Sequence, residues 1–361
     1  HIREAGSTAA QEIAFTLAEP LNIFPKLLAM PVAAIVPTPT PEEFGEAPVG
    51  SGPWRFVSWS HADLLVFARN EEWWGGPAAS DTLRVRIIPE TFTQGAEFES
   101  KRLSVVEIPV SETAVWEAAT DRVLQRRAAM RAVYIAINTT RGPLADVRVR
   151  RALNHAVNIP AILDRVMHHR GVLAAGSIPP GLDGYDSTRT RYAFDQAKAR
   201  ALLHQAGVTL PLELTMKLPP VSYARQGGEV IASQLAKVGI KVKIENVEWA
   251  QWMSGVYGQK AYDLTIVSHV EPLDFGNFAR PNYYWGYESK AFNELWAKVN
   301  ATVQQSERNK LMGEAQKLVA EEAVAAYLFQ PTGITIANAR VKGLWTTAPL
   351  SANDLSALSW Q

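Results

Sequence analysis

Residues Tyr134–Val157 read YIAINTTRGPLADVRVRRALNHAV. The apolar opening Tyr134, Ile135, Ala136, Ile137 predicts a strand, and the polar turn Asn138–Pro143 ends it. Asp146 stands where an N-cap belongs. Val149, Ala152, Leu153 and Ala156 then recur at i, i+3, i+4 and i+7, which predicts a helix with one apolar face. Nothing in this stretch offers catalytic chemistry. It reads as the join between two architectural halves of the chain.

Moving towards the C-terminus, Pro160 takes a helix N1 position ahead of Ala161, Ile162, Val166 and Met167. His168 and His169 are adjacent, so they lack the i, i+4 spacing of a metal pair and read as surface residues. Ile178–Tyr185 is a loop. Asp195 caps a further helix, closed by Gly207. Leu212–Leu218 alternates cleanly, a helix over Tyr223–Val238 follows, and Ile240–Val247 alternates again. Strand, helix, strand at this spacing predicts a parallel crossover unit. Tyr262–Ser268 is a further buried strand. Two helices follow, marked by Phe292, Leu295, Trp296, Val299 and by Leu311, Met312, Ala315, Leu318, Val319. Ala325–Gln330 and Gly333–Ala337 read as returning strands, and Arg340–Trp345 finishes beside the first half.

Towards the N-terminus, Glu12–Leu17 predicts a strand, and Pro37–Pro41 (PTPTP) a stiff extended connector. Gly50–Pro53 is a turn. It lacks the Lys-Ser/Thr of a phosphate loop. Trp54–Trp59 and Leu64–Arg69 read as paired strands, Thr82–Pro89 as another, Thr93–Ser100 as a short helix, Val105–Ile108 as a strand and Ser111–Ala119 as a helix.

Composition excludes several function classes. Of 361 residues, 47% are hydrophobic and 20% charged, so a large core is available. The formal net charge of +0 gives no electrostatic reason to bind nucleic acid or an anionic membrane. With no cysteine there is no disulfide, thiol nucleophile or Cys-based zinc site. No apolar run is long enough to span a membrane; Leu27–Val36 is short and holds a proline. No signal peptide opens the sequence, so a secreted form is expected as a mature or trimmed chain. Eleven tryptophans serve either core packing or a stacking surface for a ligand.

In order along the chain, these motifs resemble those of the family 5 extracellular solute-binding proteins, the peptide- and nickel-type receptors of bacterial ABC importers. There a strand of the form lafNt, a short turn and DvRvRqAlnyAid open the second lobe, as Tyr134–Val157 does here. GTGPYklveW resembles Gly50–Trp59, RNpdYWgG resembles Arg69–Gly76, and LakiGIkVei resembles Leu235–Ile244. One turn departs: Arg102–Val105 reads RLSV where the family has Gly-Glu-Val-Asp. The resemblance implies an α/β, two-lobed type II periplasmic-binding-protein fold with hinge strands. Residues 1–133 would form a first lobe lacking the family's leading portion, 134–332 the second lobe, and 333–361 the return. The hinge is expected near Val133–Thr139 and Ala325–Ile334. The implied role is a periplasmic or extracellular receptor, a monomer with no cofactor, that delivers a small peptide or related polar solute to a membrane permease. An oligosaccharide or opine-type solute is the alternative within this fold. An α/β hydrolase is the alternative outside it, but no G-x-S-x-G elbow appears, and Ser268 beside His269 is only adjacency.

The chemistry concentrates in His269–Tyr287, HVEPLDFGNFARPNYYWGY, directly after a buried strand. Ligands of open α/β sheets collect beyond the carboxyl ends of strands. The segment supplies His269, Glu271, Asp274, Asn277, Arg280, Tyr283, Tyr284 and Trp285. One imidazole and two acids are too loosely spaced for a metal site. In the peptide-binding relatives an Asp on the corresponding loop pairs with the ligand amine. Asp274 is the nearest match and Glu271 its rival. Trp249 and Trp252 share a face of a presumed helix start. Tyr223 and Arg225 open the crossover helix, where Arg225 is placed to meet a ligand carboxylate.

Overall fold

A computed structural model of the chain describes residues 2–9, 12–30, 33–37, 39–108, 113–117, 119–128, 131–174, 176–178, 184–185, 192–269, 274–344 and 355–361. The chain divides into two compact units, His1–Ala29 with Arg131–Gln330, and Met30–Met130 with Pro331–Gln361. His1–Ala29 groups with Arg131–Gln330 although it is remote from it in sequence. A local anchor accounts for this. Asn22 donates from Nδ2 to the carbonyls of Val299 (2.7 Å) and Thr302 (2.6 Å), and its backbone N–H meets the Asn300 carbonyl at 3.2 Å. Ahead of it, Ile2–Ala9 and Glu12–Leu17 pair as an antiparallel ribbon.

The larger unit is built on a mixed sheet in the order Ile240–Asn246, Leu212–Leu218, Leu264–His269, Ala132–Ile137, Ala325–Asn338. The first three strands run parallel, with Ser222–Ala236 as the crossover helix. Ala132–Ile137 runs antiparallel to both neighbours. All six of its residues are buried, so it is a central strand covered on both faces. That is why its sequence is apolar throughout rather than alternating with polar residues.

The helix predicted after it spans Val147–Ala156. Asp146 caps it by accepting the Arg148 N–H at 2.8 Å. Its hydrogen bonds to Arg148 hold the Asp146 carboxyl below its ordinary value. Val149, Ala152, Leu153 and Ala156 are all at most 2% exposed. Burying a leucine of this kind contributes about 2 kcal/mol. Arg150 is buried on the same helix, and burial lowers its pKa. Its guanidinium is satisfied by carbonyls, those of Leu144 and Ala145 (2.9 Å each) and Glu322 (2.7 Å). The next helix ends at Met167, so His168 and His169 leave it in the left-handed conformation and are exposed.

The polar turn after the central strand is more than a stop signal. Asn138 is fully buried. Its Nδ2 donates to the carbonyls of Lys260 (3.0 Å) and Tyr262 (3.1 Å), and its Oδ1 accepts from the Thr140 N–H (3.2 Å) and Oγ1 (2.8 Å). Thr139 donates both its N–H (2.9 Å) and its Oγ1 (3.1 Å) to the Trp285 carbonyl. Gly286 follows with φ +66°, and a Cβ there would lie 2.5 Å from Thr140 Cγ2. Glycine is therefore required for the aromatic segment to lie against this turn.

The smaller unit holds an antiparallel meander of Trp54–Ser60, Leu64–Arg69 and Thr82–Arg86. Beside it, the far half of Ala325–Asn338 pairs with Val105–Glu107 and with Arg122–Ala128. Arg122–Ala128, RVLQRRA, has no reading as a strand in the sequence because its charges mask the period. Its Arg122 guanidinium lies 5.1 Å from the Trp116 ring centre and pairs with Glu99 at 2.7 Å. Phe98, Val106, Trp116, Ile334 and Ile336 form the core there.

Candidate ligand-binding site

The carboxyl ends of the three parallel strands lead into the segments that carry the candidate side chains. Leu212–Leu218 leads to Tyr223 and Arg225, Ile240–Asn246 to Trp249 and Trp252, and Leu264–His269 to Asp274. This is the end of an open α/β sheet at which ligands collect.

His269 is the centre of the arrangement. Its Nδ1 is 2.6 Å from Asp274 Oδ2, and its Nε2 is 2.9 Å from the Tyr284 hydroxyl. A carboxylate only accepts, so Nδ1–H donates to it, and in the neutral imidazole Nε2 accepts the Tyr284 O–H. Tyr134 stacks on the imidazole at 5.1 Å between ring centres, Tyr284 at 5.9 Å, and Trp285 tilts against it at 5.5 Å. Burial pushes the Tyr134 and Tyr284 phenols well above their ordinary value, so both keep their protons at neutral pH. The outcome is a carboxylate with its orientation fixed by a half-buried histidine inside an aromatic wall. Side chains of both partners are 10% exposed. Chemically this suits an ammonium or other cation, since a charge taken from water needs a fixed partner.

The structure brings His269, Asp274, Tyr283, Tyr284 and Trp285 together. Tyr284 and Trp285 are 1% exposed and belong to the core beneath the site. Asn277 is half-buried on the turn Asp274–Ala279, and Arg280 lies exposed with its guanidinium 5.5 Å from the Tyr283 ring centre. Glu271 lies outside the described residues. Trp252 is also core: its Nε1 donates to Thr265 Oγ1 (3.0 Å), which donates to the Lys217 carbonyl (2.6 Å). Trp249 stays 44% exposed and meets Trp252 edge-on at 5.8 Å. The presumed ordinary helix start is in fact one α turn, Trp249–Gln251, followed by a π-helix over Trp252–Gly258. Such widened turns are frequent at functional sites. Tyr223 accepts the Ser268 N–H at 3.1 Å, and Arg225 pairs with Glu248 at 3.1 Å.

Ser268 and His269 are consecutive in a strand and so point to opposite faces, which separates them as a nucleophile and base. Among the described residues no three His, Asp or Glu side chains cluster as metal ligands. Nor, among them, is any helix long and apolar enough to cross a membrane. A recess of about 1040 Å³ in the smaller unit is lined by Leu83, Val85, Leu103 and Trp360, and by none of the candidate residues. Its Arg86 and Arg102 are paired with Asp63 and Glu97. Sequence reasoning missed Tyr134, which stacks on His269. The turn Asn138–Thr140 lies at the opposite end of that strand and holds the Trp285 carbonyl.

A mixed sheet with ligand chemistry gathered at its carboxyl end, in a chain of two α/β units, is the fold of the two-lobed type II periplasmic binding proteins. The structure of the periplasmic binding protein DppA from Helicobacter pylori, in complex with peptide STSA, superposes with a TM-score of 0.86 at 25% identity, over 99% of this chain and 74% of that one. The chain belongs to the bacterial extracellular solute-binding proteins, family 5, whose model matches residues 2–308. Heme-binding protein A of Haemophilus influenzae is 27% identical over 84% of this chain, and the dipeptide-binding protein of Escherichia coli is 26% identical over 99%. The chain spans 58% of the length of the first and 71% of the second.

Proposed function

We propose that this chain is an extracytoplasmic receptor that captures a small peptide and presents it to the membrane permease of an ABC importer. The observation that carries the reading is the Asp274 carboxylate, held at 2.6 Å by His269 within an aromatic wall. Such a group takes the ammonium of a peptide N-terminus, while Tyr283 and the exposed Trp249 offer apolar surface to its side chains. Asn277 and Arg280 stand at the rim. Family membership and the likeness to a dipeptide-binding protein and to a peptide complex support the class of solute. In this reading the two units are the lobes, and the chain crossings at 130/131 and 330/331 are the hinge. No bond is made or broken.

The test is native mass spectrometry of the protein as purified and after incubation with a mixture of di- and tripeptides. A retained or acquired peptide mass is expected. A spectrum that never shows one, at concentrations well above those at which such receptors saturate, contradicts the reading.

A further inference from the structure

The meander of the smaller unit leaves a strand edge open. Its strand order is Trp54–Ser60, Leu64–Arg69, Thr82–Arg86, so among the described residues Thr82–Arg86 has a neighbouring strand on one side only. The Ile87 N–H meets the Asp63 carbonyl at 2.7 Å, and the Arg69 N–H meets the Asp81 carbonyl at 2.9 Å. Hydrogen-bonded pairs alternate with non-bonded ones along an antiparallel ladder. In this register Leu83 and Val85 therefore aim their backbone groups at the neighbour, and Thr82, Arg84 and Arg86 aim theirs outward. No residue of the three strands is buried, whereas all six of Ala132–Ile137 are. A sheet this small depends on being covered.

The open edge borders the recess of about 1040 Å³. All five residues of Thr82–Arg86 line it, and so do all five of Leu103–Glu107. A cavity under a sheet face meets alternate residues of a strand, so lining by five in succession places the edge itself in the recess. Val105–Glu107 is also the outer strand of its own sheet. The charges are uneven. Arg86 has Asp63 at 3.5 Å and Arg102 has Glu97 at 2.7 Å. Arg84 is exposed and has no ion pair among the described residues. Val85, on the alternate face, is 39% exposed.

We propose that Thr82–Arg86 is a docking edge for an extended segment of a partner polypeptide that alternates acidic and apolar residues. The segment adds to the meander as a further strand and fills the recess. Main-chain hydrogen bonds to Thr82, Arg84 and Arg86 attach it, and its side chains set the specificity. Residues directly opposite share a face, so carboxylates stand opposite Arg84 and Arg86, and apolar side chains stand beside Leu83 and Val85. A second copy of this chain is the wrong partner. Two-fold antiparallel pairing of the edge with itself sets Arg84 against Arg84, and like charges directly opposite destabilise a pair. The surface is made by the smaller unit alone, so the proposal does not depend on the solute captured at Asp274.

The experiment is NMR titration of the full chain with three peptides blocked at both ends: acetyl-EVEVT-amide, the charge-reversed acetyl-KVKVT-amide, and acetyl-EVPVT-amide, whose proline lacks the central N–H. The first is expected to shift the Thr82, Arg84 and Arg86 amides saturably and to bind at least about tenfold more tightly than the other two. R84E, checked for native circular dichroism, is expected to reverse the preference towards the lysine peptide. Absence of a saturable shift at the three amides overturns the proposal. So does equal binding of the acidic and basic peptides, or an unchanged preference in R84E. Sedimentation that shows a dimer, with the same amides shifting as the protein is concentrated, also overturns it in favour of a second copy. Shifts confined to 264–287 overturn it while leaving the peptide reading standing.

Discussion

The two ends of the strand Ala132–Ile137 make opposite use of buried polar atoms. At the carboxyl end Asn138 is fully buried, and its side chain makes four hydrogen bonds. At the amino end Arg131 Nε and, beside it, Ser268 Oγ are buried with no partner among the described residues. One end is fully paired within the protein, and at the other these two atoms find no partner among the described residues. The contrast separates polar residues that hold the fold from polar residues whose side chains the fold does not use, although both flank one strand.

The largest effect should come from the paired end. Asn138→Ala strips partners from two carbonyls and from Thr140, and should cost about 3 kcal/mol in urea unfolding. A cost under about 1 kcal/mol would break the contrast. Gly286→Ala forces a Cβ against Thr140 in a left-handed backbone, and should cost about 2 kcal/mol by the same measurement.

Alkaline titration probes the strand from within. Tyr134 and Tyr284 have folded-state pKa values raised by burial. For a phenol raised on folding, the stabilisation is complete below its unfolded value of about 10 and is lost as pH rises beyond it. Stability should therefore be flat through neutral pH and fall above about pH 10. Phenolate absorbance from these two should appear only together with loss of helical circular dichroism. Their titration in the folded state would contradict their burial.

Asp274→Asn keeps an acceptor for His269 but removes the charge. It should weaken dipeptide binding at least about tenfold, or about 1.4 kcal/mol, in calorimetry. Unchanged affinity would remove Asp274 from the ammonium subsite. The smallest effect on stability belongs to the other end: Ser268→Ala should shift unfolding by no more than about 0.5 kcal/mol. A loss like that of Asn138→Ala would mean that Ser268 is part of the fold after all.

Much of this was legible in the sequence. The period of Val149, Ala152, Leu153 and Ala156 and the Asp146 cap are local signals, and local signals survive folding. The crossover unit was readable for the same reason. Arg122–Ala128 was not, because a strand that carries Arg122 and Arg126, paired with Glu99 and Glu117, shows no apolar period. The grouping of His1–Ala29 was hidden as well, since it depends on Asn22 reaching carbonyls near residue 300. At the site, the residue types on the 269–287 segment were legible as candidates, and His269, Asp274 and Tyr284 do come together. Which tryptophans stay exposed depends on packing: Trp252 and Trp285 are buried, while Trp249 is exposed. Nothing in Tyr134–Val157 alone tells that its Asn-Thr-Thr turn supports the loop that carries the aromatics.

The most direct measurement is hydrogen–deuterium exchange with and without saturating alanyl-phenylalanine. Protection is predicted in segments covering 131–134, 222–226, 247–253 and 264–287, with the capped helix 147–156 unchanged. Protection confined to the recess around 82–107, or absent from 264–287, would contradict the account.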